Sequence, residues 1–196
     1  MTSDHLTLVD WRLRVAELYA RVRAEADPAD GHRLWVEGRT RLFATHPQSP
    51  TSRWSSQDGV SYWPYDPRWR FEVPLLETEP AEIEAPGGDD GTVTLRRTGR
   101  VELPDVGTLD VWWLDQYAAG IFVPLKDGTS GTTTYGGGRY LLDTIKGSWV
   151  GGDDATLVLD LNFAYHPSCR YDPRWVCPLA PPGNTVAVAV EAGERL

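Results

Sequence analysis

Residues 155–165 read ATLVLDLNFAY, and the alternation within this run decides the fold class. Leu157, Leu159, Leu161 and Phe163 fall on one side of a two-residue period. Asp160 and Asn162 fall on the other, about 7 Å apart at strand spacing. A helix would scatter these residues around its axis, so the stretch predicts a strand. Working outward, RFEVPLLE (70–77), TVTLRR (92–97), RVELP (100–104), LDVWWLD (109–115), GIFVPLKD (120–127) and TVAVAVEA (185–192) repeat the pattern between Gly, Pro and Asp turns. EAPGGDDGT (84–92) reads as an exposed hairpin loop. No long helix alternates with these strands, which argues against a parallel nucleotide-binding sheet.

Ahead of the strands the period changes. Leu8, Trp11, Val15, Leu18 and Val22 recur at steps of three and four, the apolar face of one helix. Asp27-Pro28 then reads as an N-cap followed by proline in the first turn of a second helix, which carries Leu34, Trp35, Leu42 and Phe43 and ends at HPQSPTS. The expected fold is α+β, mainly β. An antiparallel barrel-like or sandwich sheet is preceded by a two-helix N-terminal arm, in a single domain over 1–196 (arm 1–48, β domain 60–196).

Composition narrows the function classes. The chain has 196 residues and a formal charge of −9, with nine Trp, eight Tyr and four Phe. Residues 1–75 hold ten Lys/Arg against ten Asp/Glu and the remainder nine against eighteen, so the acidic excess is C-terminal. A basic stripe is absent, and no nucleic-acid partner is expected. No apolar run is long enough to span a membrane, and MTSDHLTLVDWRLR lacks the order of a signal peptide. A cytoplasmic, soluble protein with no membrane partner is expected, its two cysteines reduced.

YDPRW occurs twice, at 65–69 and 171–175. The flanks share little, and Asp-Pro initiates turns, so the reading is one turn solution used twice. Between them, KDGTSGTTTYGGGRYLLDT (126–144) offers a tight turn at Asp127–Ser130. Three glycines there let backbone approach closely, and Arg139 could fork onto a carboxylate or phosphate. It matches neither GxxxxGK[ST] nor GxGxxG, and GTSGT is not a nucleophile elbow, so no cofactor is named. His166, Cys169 and Cys177 lack a fourth ligand and a tight Cys pair, and no metal is expected.

GTTTYGGGRYL together with LDLNFAYHPSCRYDPRWVCPLAPPGNTVAVAVEAGE resembles the domain-of-unknown-function 1684 family, whose pattern runs close to TYGxGRYL, DFNxAYNPxCAY, CPLPPxEN and a terminal AGE. SPTS and YWPYDPRW resemble further family elements. The resemblance covers nearly the whole chain and places Thr134, Tyr135, Gly136, Gly138, Arg139 and Tyr140 on the first motif. Asp160, Asn162, Ala164, Tyr165, Pro167, Cys169 and Tyr171 fall on the second; Cys177, Pro178, Pro181, Pro182, Asn184 and Glu191 fall on the rest. His166 stands where the family has Asn, and Gly183 where it has Glu. The resemblance implies one domain with a helical arm and no particular reaction.

Two readings of function follow. In the first, Tyr135, Arg139, Asn162 and Tyr165 bind a small anionic molecule. Asp160 is the candidate acid or base beside Arg139, and an enzyme of unspecified reaction is open. In the second, the same residues are a polar network in a non-catalytic interaction or scaffold protein. Both expect Arg139 within reach of Asp160, directly or through one water, with Tyr135 or Tyr165 beside them. That pairing would hold Asp160 ionised. Oligomeric state is not legible.

Overall fold

The structure is a computed structural model that describes residues 2–51, 59–88, 91–115 and 117–196. Helix α1 (Thr2–Ala24) and helix α2 (Pro28–Thr45) form the arm. The Asp27 carboxylate accepts the Ala29 N–H at 2.8 Å and Pro28 opens the first turn, as the sequence requires. The helices meet closely because Gly38 has no side chain: a Cβ there would sit 2.5 Å from Leu18 Cδ1. Leu18, Tyr19, Val22 and Trp35 form the buried cluster of the arm, closed by Phe163 from the β region. The start of α1 is less buried than expected, with Leu8 37% exposed and Trp11 half-buried against Phe43 and His46.

The strands are β1 (Ser61–Tyr62), β2 (Arg70–Pro74), β3 (Glu82–Pro86), β4 (Thr92–Leu103), β5 (Gly107–Leu114), β6 (Gly120–Leu125), β7 (Arg139–Asp143), β8 (Thr156–Asp160) and β9 (Glu194–Arg195). All their ladders are antiparallel. Strands β3-β4-β5-β6-β7 make a five-stranded sheet in sequence order, while β2 pairs β8 and β1 pairs β9. The outer strands β3 and β7 do not pair with each other, so the barrel-like alternative is not realised. The largest apolar cluster lies between this sheet and the β2–β8 pair, through Val101, Leu109, Val123, Leu125, Leu142, Leu159 and Leu161.

Four strand readings change. TVTLRR and RVELP are one strand, β4, with an irregular register between Arg97 and Gly99. There the Leu76 segment takes over the edge from β3, exchanging backbone bonds with Arg100. RYLLD, read as the end of a glycine loop, is β7, wholly buried. ATLVLDLNFAY does not stay a strand: the Asp160 carboxylate accepts the Asn162 N–H at 3.0 Å and turns Leu161–Phe163 into a 3-10 turn.

TVAVAVEA keeps its alternating burial but forms no strand ladder. Its first half bonds the backbone of residues 126–128, through Val186 N to Lys126 O and Gly128 N to Val188 O at 2.9 Å each, and side chains bond its end: Asp127 accepts from Val190 N, and Arg139 donates to the Val190 and Ala192 carbonyls. The two YDPRW copies do build one turn. In each the Asp carboxylate accepts the Arg N–H at 3.0 Å, and the Trp N–H reaches the Asp carbonyl at 3.1 Å. Of the loops read from sequence, Asp89 and Asp90 of EAPGGDDGT and Ser52 of SPTS lie outside the described residues.

Candidate functional site

Arg139 enters β7 directly after Gly138, whose φ of +87° suits glycine and whose Cβ position is filled by the Leu125 carbonyl. The side chain is 0% exposed. It donates to the carbonyls of Val190 at 2.9 Å and Glu194 at 3.2 Å, and to that of Ala192. Its ion-pair partner is Asp127, at 3.4 Å. Asp127 also takes the Val190 N–H at 2.7 Å and the Thr129 hydroxyl at 2.9 Å. The expected bond to Asp160 is not made. The three glycines deliver Arg139 to the C-terminal segment, where a row of carbonyls outbids a single distant carboxylate.

Asp160 sits in a different cluster. Its Oδ1 accepts from Asn162 N at 3.0 Å and Asn162 Nδ2 at 2.8 Å, and Tyr65 OH lies 3.4 Å from Oδ2. Asn162 also bonds the Asp66 backbone through both ends of its amide. Burial pushes the Asp160 carboxyl up to about 6, against these hydrogen bonds and the more remote Arg70. This reverses the expectation that an arginine would hold it ionised. Burial also drives His32, beside Tyr65 and Phe163, down to about 4. Asp160 and Asn162 therefore fasten the first YDPRW turn to the end of β8.

An open-sided cleft of about 90 Å³ lies instead between the arm and the β region. Its walls are Trp11, Val15, Leu18, Tyr19, Trp35, Leu42 and Phe43 from the helices, with Tyr165, Ser168 and Tyr171 opposite. Two cations reach it, Arg39 and Lys146. Arg39 Cζ lies 4.1 Å from the Phe43 ring centroid and 5.0 Å from that of Tyr165, and its Nη2 meets Glu194 Oε2 at 2.7 Å. Lys146 Nζ pairs with Asp143 at 3.2 Å while its side chain stays 58% exposed.

Glu194 organises the floor. Besides Arg39 it takes the His166 N–H at 2.9 Å, the Tyr171 hydroxyl, and His166 Nδ1 at 3.1 Å. Burial would raise this carboxyl, but Arg39 and His166 outweigh it and hold it down to about 2. Burial likewise opposes charge on Arg39, yet the Glu194 carboxylate raises it further above its ordinary range. His166 Nε2 accepts the Tyr135 N–H at 3.2 Å, which puts the ring proton on Nδ1. Both ring nitrogens are thus engaged, and neither offers a free lone pair to a metal. Among the described residues no group of three or more His, Cys, Asp and Glu is placed to hold one.

Of the binding and catalytic residues proposed from sequence, Tyr165 lines the cleft, as do His166 and Tyr171 of the same motif; Tyr135 supports His166 from behind. Arg139, Asp160 and Asn162 lie outside its walls. Arg39, Lys146 and Glu194 were missed. Arg39 had a signal, since it stands between Trp35 and Phe43 on the buried face of α2, where a charge needs a partner. Glu194 ends the AGE motif, but the reading fixed on Glu191, which is exposed.

Comparison with known proteins places this geometry. The family model described as "Protein of unknown function (DUF1684)" matches residues 55–195. The solution NMR structure of an uncharacterized protein of Haloarcula marismortui is similar at 32% identity and a TM-score of 0.58, over 82% of this chain and 89% of that one. Nothing among curated proteins matches. Among the described residues no helix is long and apolar enough to cross a membrane.

Proposed function

The chain belongs to the DUF1684 family, and we propose that it binds a small anionic, partly apolar molecule in the cleft between its helical arm and its sheets. The observation that carries this reading is Arg39: a cation set among Trp35, Phe43 and Tyr165 at an open-sided cleft, anchored at one end by Glu194. Such a guanidinium is pre-oriented, so a ligand loses little by ordering it. The aromatic walls suit an apolar body, and Lys146 at the rim supplies a second positive charge. Size sets the class. A cavity of ~150 Å³ admits benzene, so a cleft of about 90 Å³ takes a short or flat acid with the rest of the molecule projecting outward.

A second reading applies to Arg139, Asp127, Asp160 and Asn162. Their bonds end on protein backbone or on one another, which supports a bracing role rather than a binding one.

Titration of the full chain with butyrate, benzoate and phenyl phosphate, followed by tryptophan fluorescence, tests the binding reading. Trp11 and Trp35 in the wall make the readout direct. Saturable binding of at least one acid, weakened about tenfold by Lys146→Met, is expected. No saturable response to any of the three, or binding that Lys146→Met and Tyr171→Phe leave unchanged, would overturn it.

A further inference from the structure

Helix α1 carries a second apolar stripe besides the one that packs inward. Leu6, Val9, Leu13, Ala16 and Ala20 follow one another at alternating steps of three and four, and every one of them is exposed or nearly so. Leu6, Val9 and Leu13 are 67%, 53% and 58% exposed. At roughly 100° per residue, this stripe lies about 170° from the inward stripe of Trp11, Val15, Leu18 and Val22. The inward stripe accounts for the packing of α1 on α2, while the outward one stays in water. Single exposed apolar side chains are ordinary, but a continuous row of them along about 21 Å of helix is not.

The spacing is that of a two-helix seam, with two apolar positions in every seven. Charge decides the occupant. Arg12 borders the stripe on one side, and Asp10 and Glu17 border it on the other; Arg12 and Glu17 are both exposed. When another α1 lies alongside in the same direction and in register, the basic edge of each helix meets the acidic edge of the other. Arg12 of each chain then comes opposite Glu17 of the other, once on each side of the two-fold axis. The reverse direction would set acid against acid and base against base.

We propose that α1 is a self-association helix, on which a second copy of this chain docks its own α1 in parallel through Leu6, Val9 and Leu13. The two Arg12–Glu17 pairs set direction and register, and Ala16 and Ala20 continue the seam with small side chains. Two heptads bury less than the ~800 Å² per partner of a standard interface, so the dimer is reversible, with a Kd on the order of 10 μM. Trp11, Val15 and Leu18 keep facing the cleft, on the other side of the helix, so the seam does not use the cleft wall.

Sedimentation equilibrium of the full chain from about 1 to 200 μM tests this. A monomer–dimer equilibrium is expected. Leu13→Glu should weaken it at least about tenfold with little change in thermal midpoint, because Leu13 already faces water. Arg12→Glu and Glu17→Arg should each weaken the dimer about three- to tenfold, and the double reversal should restore it. A monomer across the whole range, or a dimer that Leu13→Glu leaves intact, would overturn the proposal. A dimer indifferent to both single charge reversals would overturn the parallel register. Vesicles of equal phosphatidylcholine and phosphatidylserine test the other occupant. A chain that stays monomeric and binds them through Leu13 would assign the stripe to lipid, against the proposal. The first measurement uses the unaltered protein, so it stands even if a variant fails to fold.

Discussion

Two arginines converge on the same short C-terminal segment and do different work there. Arg139 meets Glu194 at its carbonyl, at 3.2 Å, and Arg39 meets it at its carboxylate, at 2.7 Å. Arg139 is sealed among Asp127 and the carbonyls of residues 190, 192 and 194. It bonds the end of TVAVAVEA, beyond the part whose backbone pairs with residues 126–128. Arg39 has one carboxylate and three aromatic faces, and it stands at an open cleft. Residue type and burial are similar in the two cases. What separates a brace from a candidate binding group is how much of the guanidinium the protein itself already occupies.

The comparison can be broken most sharply at the brace. Arg139→Met should strand the Asp127 carboxylate and three buried carbonyls, and removing one partner of a buried pair costs about 3–5 kcal/mol. A chemical-denaturation midpoint close to that of the unaltered chain would show that the carbonyl row does not depend on Arg139. Glu194 ties the two arginines together and gives the contrast a pH signature. Its folded carboxyl is held down to about 2, below the ordinary value of 4.5, so its stabilising effect is present above the ordinary value. It is lost as pH falls from there toward about 2. Glu194→Gln should flatten stability against pH in that window.

Asp160 has the opposite sign. Its folded carboxyl is raised to about 6 from 3.8, so its ionisation costs stability as pH rises through that interval. Asp160→Asn keeps an acceptor for Asn162 and should gain about 1–3 kcal/mol at pH 8 relative to pH 4. Urea melts at the two pH values measure it, and a loss at pH 8 would show that the charge is needed. The smaller effects fall on the cleft. Trp11→Ala should cost about 1–2 kcal/mol, less than the roughly 3–5 of a fully buried indole, because the indole is only partly buried. Lys146→Met should weaken acid binding while lowering stability less than Arg139→Met does, since the lysine side chain is 58% exposed although its partner Asp143 is buried.

Periodicity carried the reading a long way. The apolar face through Trp11, Val15 and Leu18, the Asp27-Pro28 start of α2 and the alternation in LDVWWLD and GIFVPLKD each became the expected element. These features are local, and backbone sterics and burial act on them within a few residues. The family motifs were legible for the same reason, as contiguous strings. The shared YDPRW turn needed only its own Asp side chain, which is why five residues build it twice from unlike flanks.

Partner choice over long separations was not written in any local pattern. Asp160 has the alternation of a strand residue, yet its carboxylate finds Asn162 two positions on and ends the strand. Arg139 could have reached Asp160 or Asp127, and the register of β7 beside β6 aims it at Asp127 and the chain end. Arg39 and Glu194 lie 155 positions apart and meet only because the arm folds back over the sheets. The sequence alone determined the two helices, most of the strands and the YDPRW turns, through short-range sterics and the burial of apolar faces. Only the tertiary structure decided which buried charge answers which, because desolvation forces each to take the partner that packing puts within reach, wherever that partner stands in the chain.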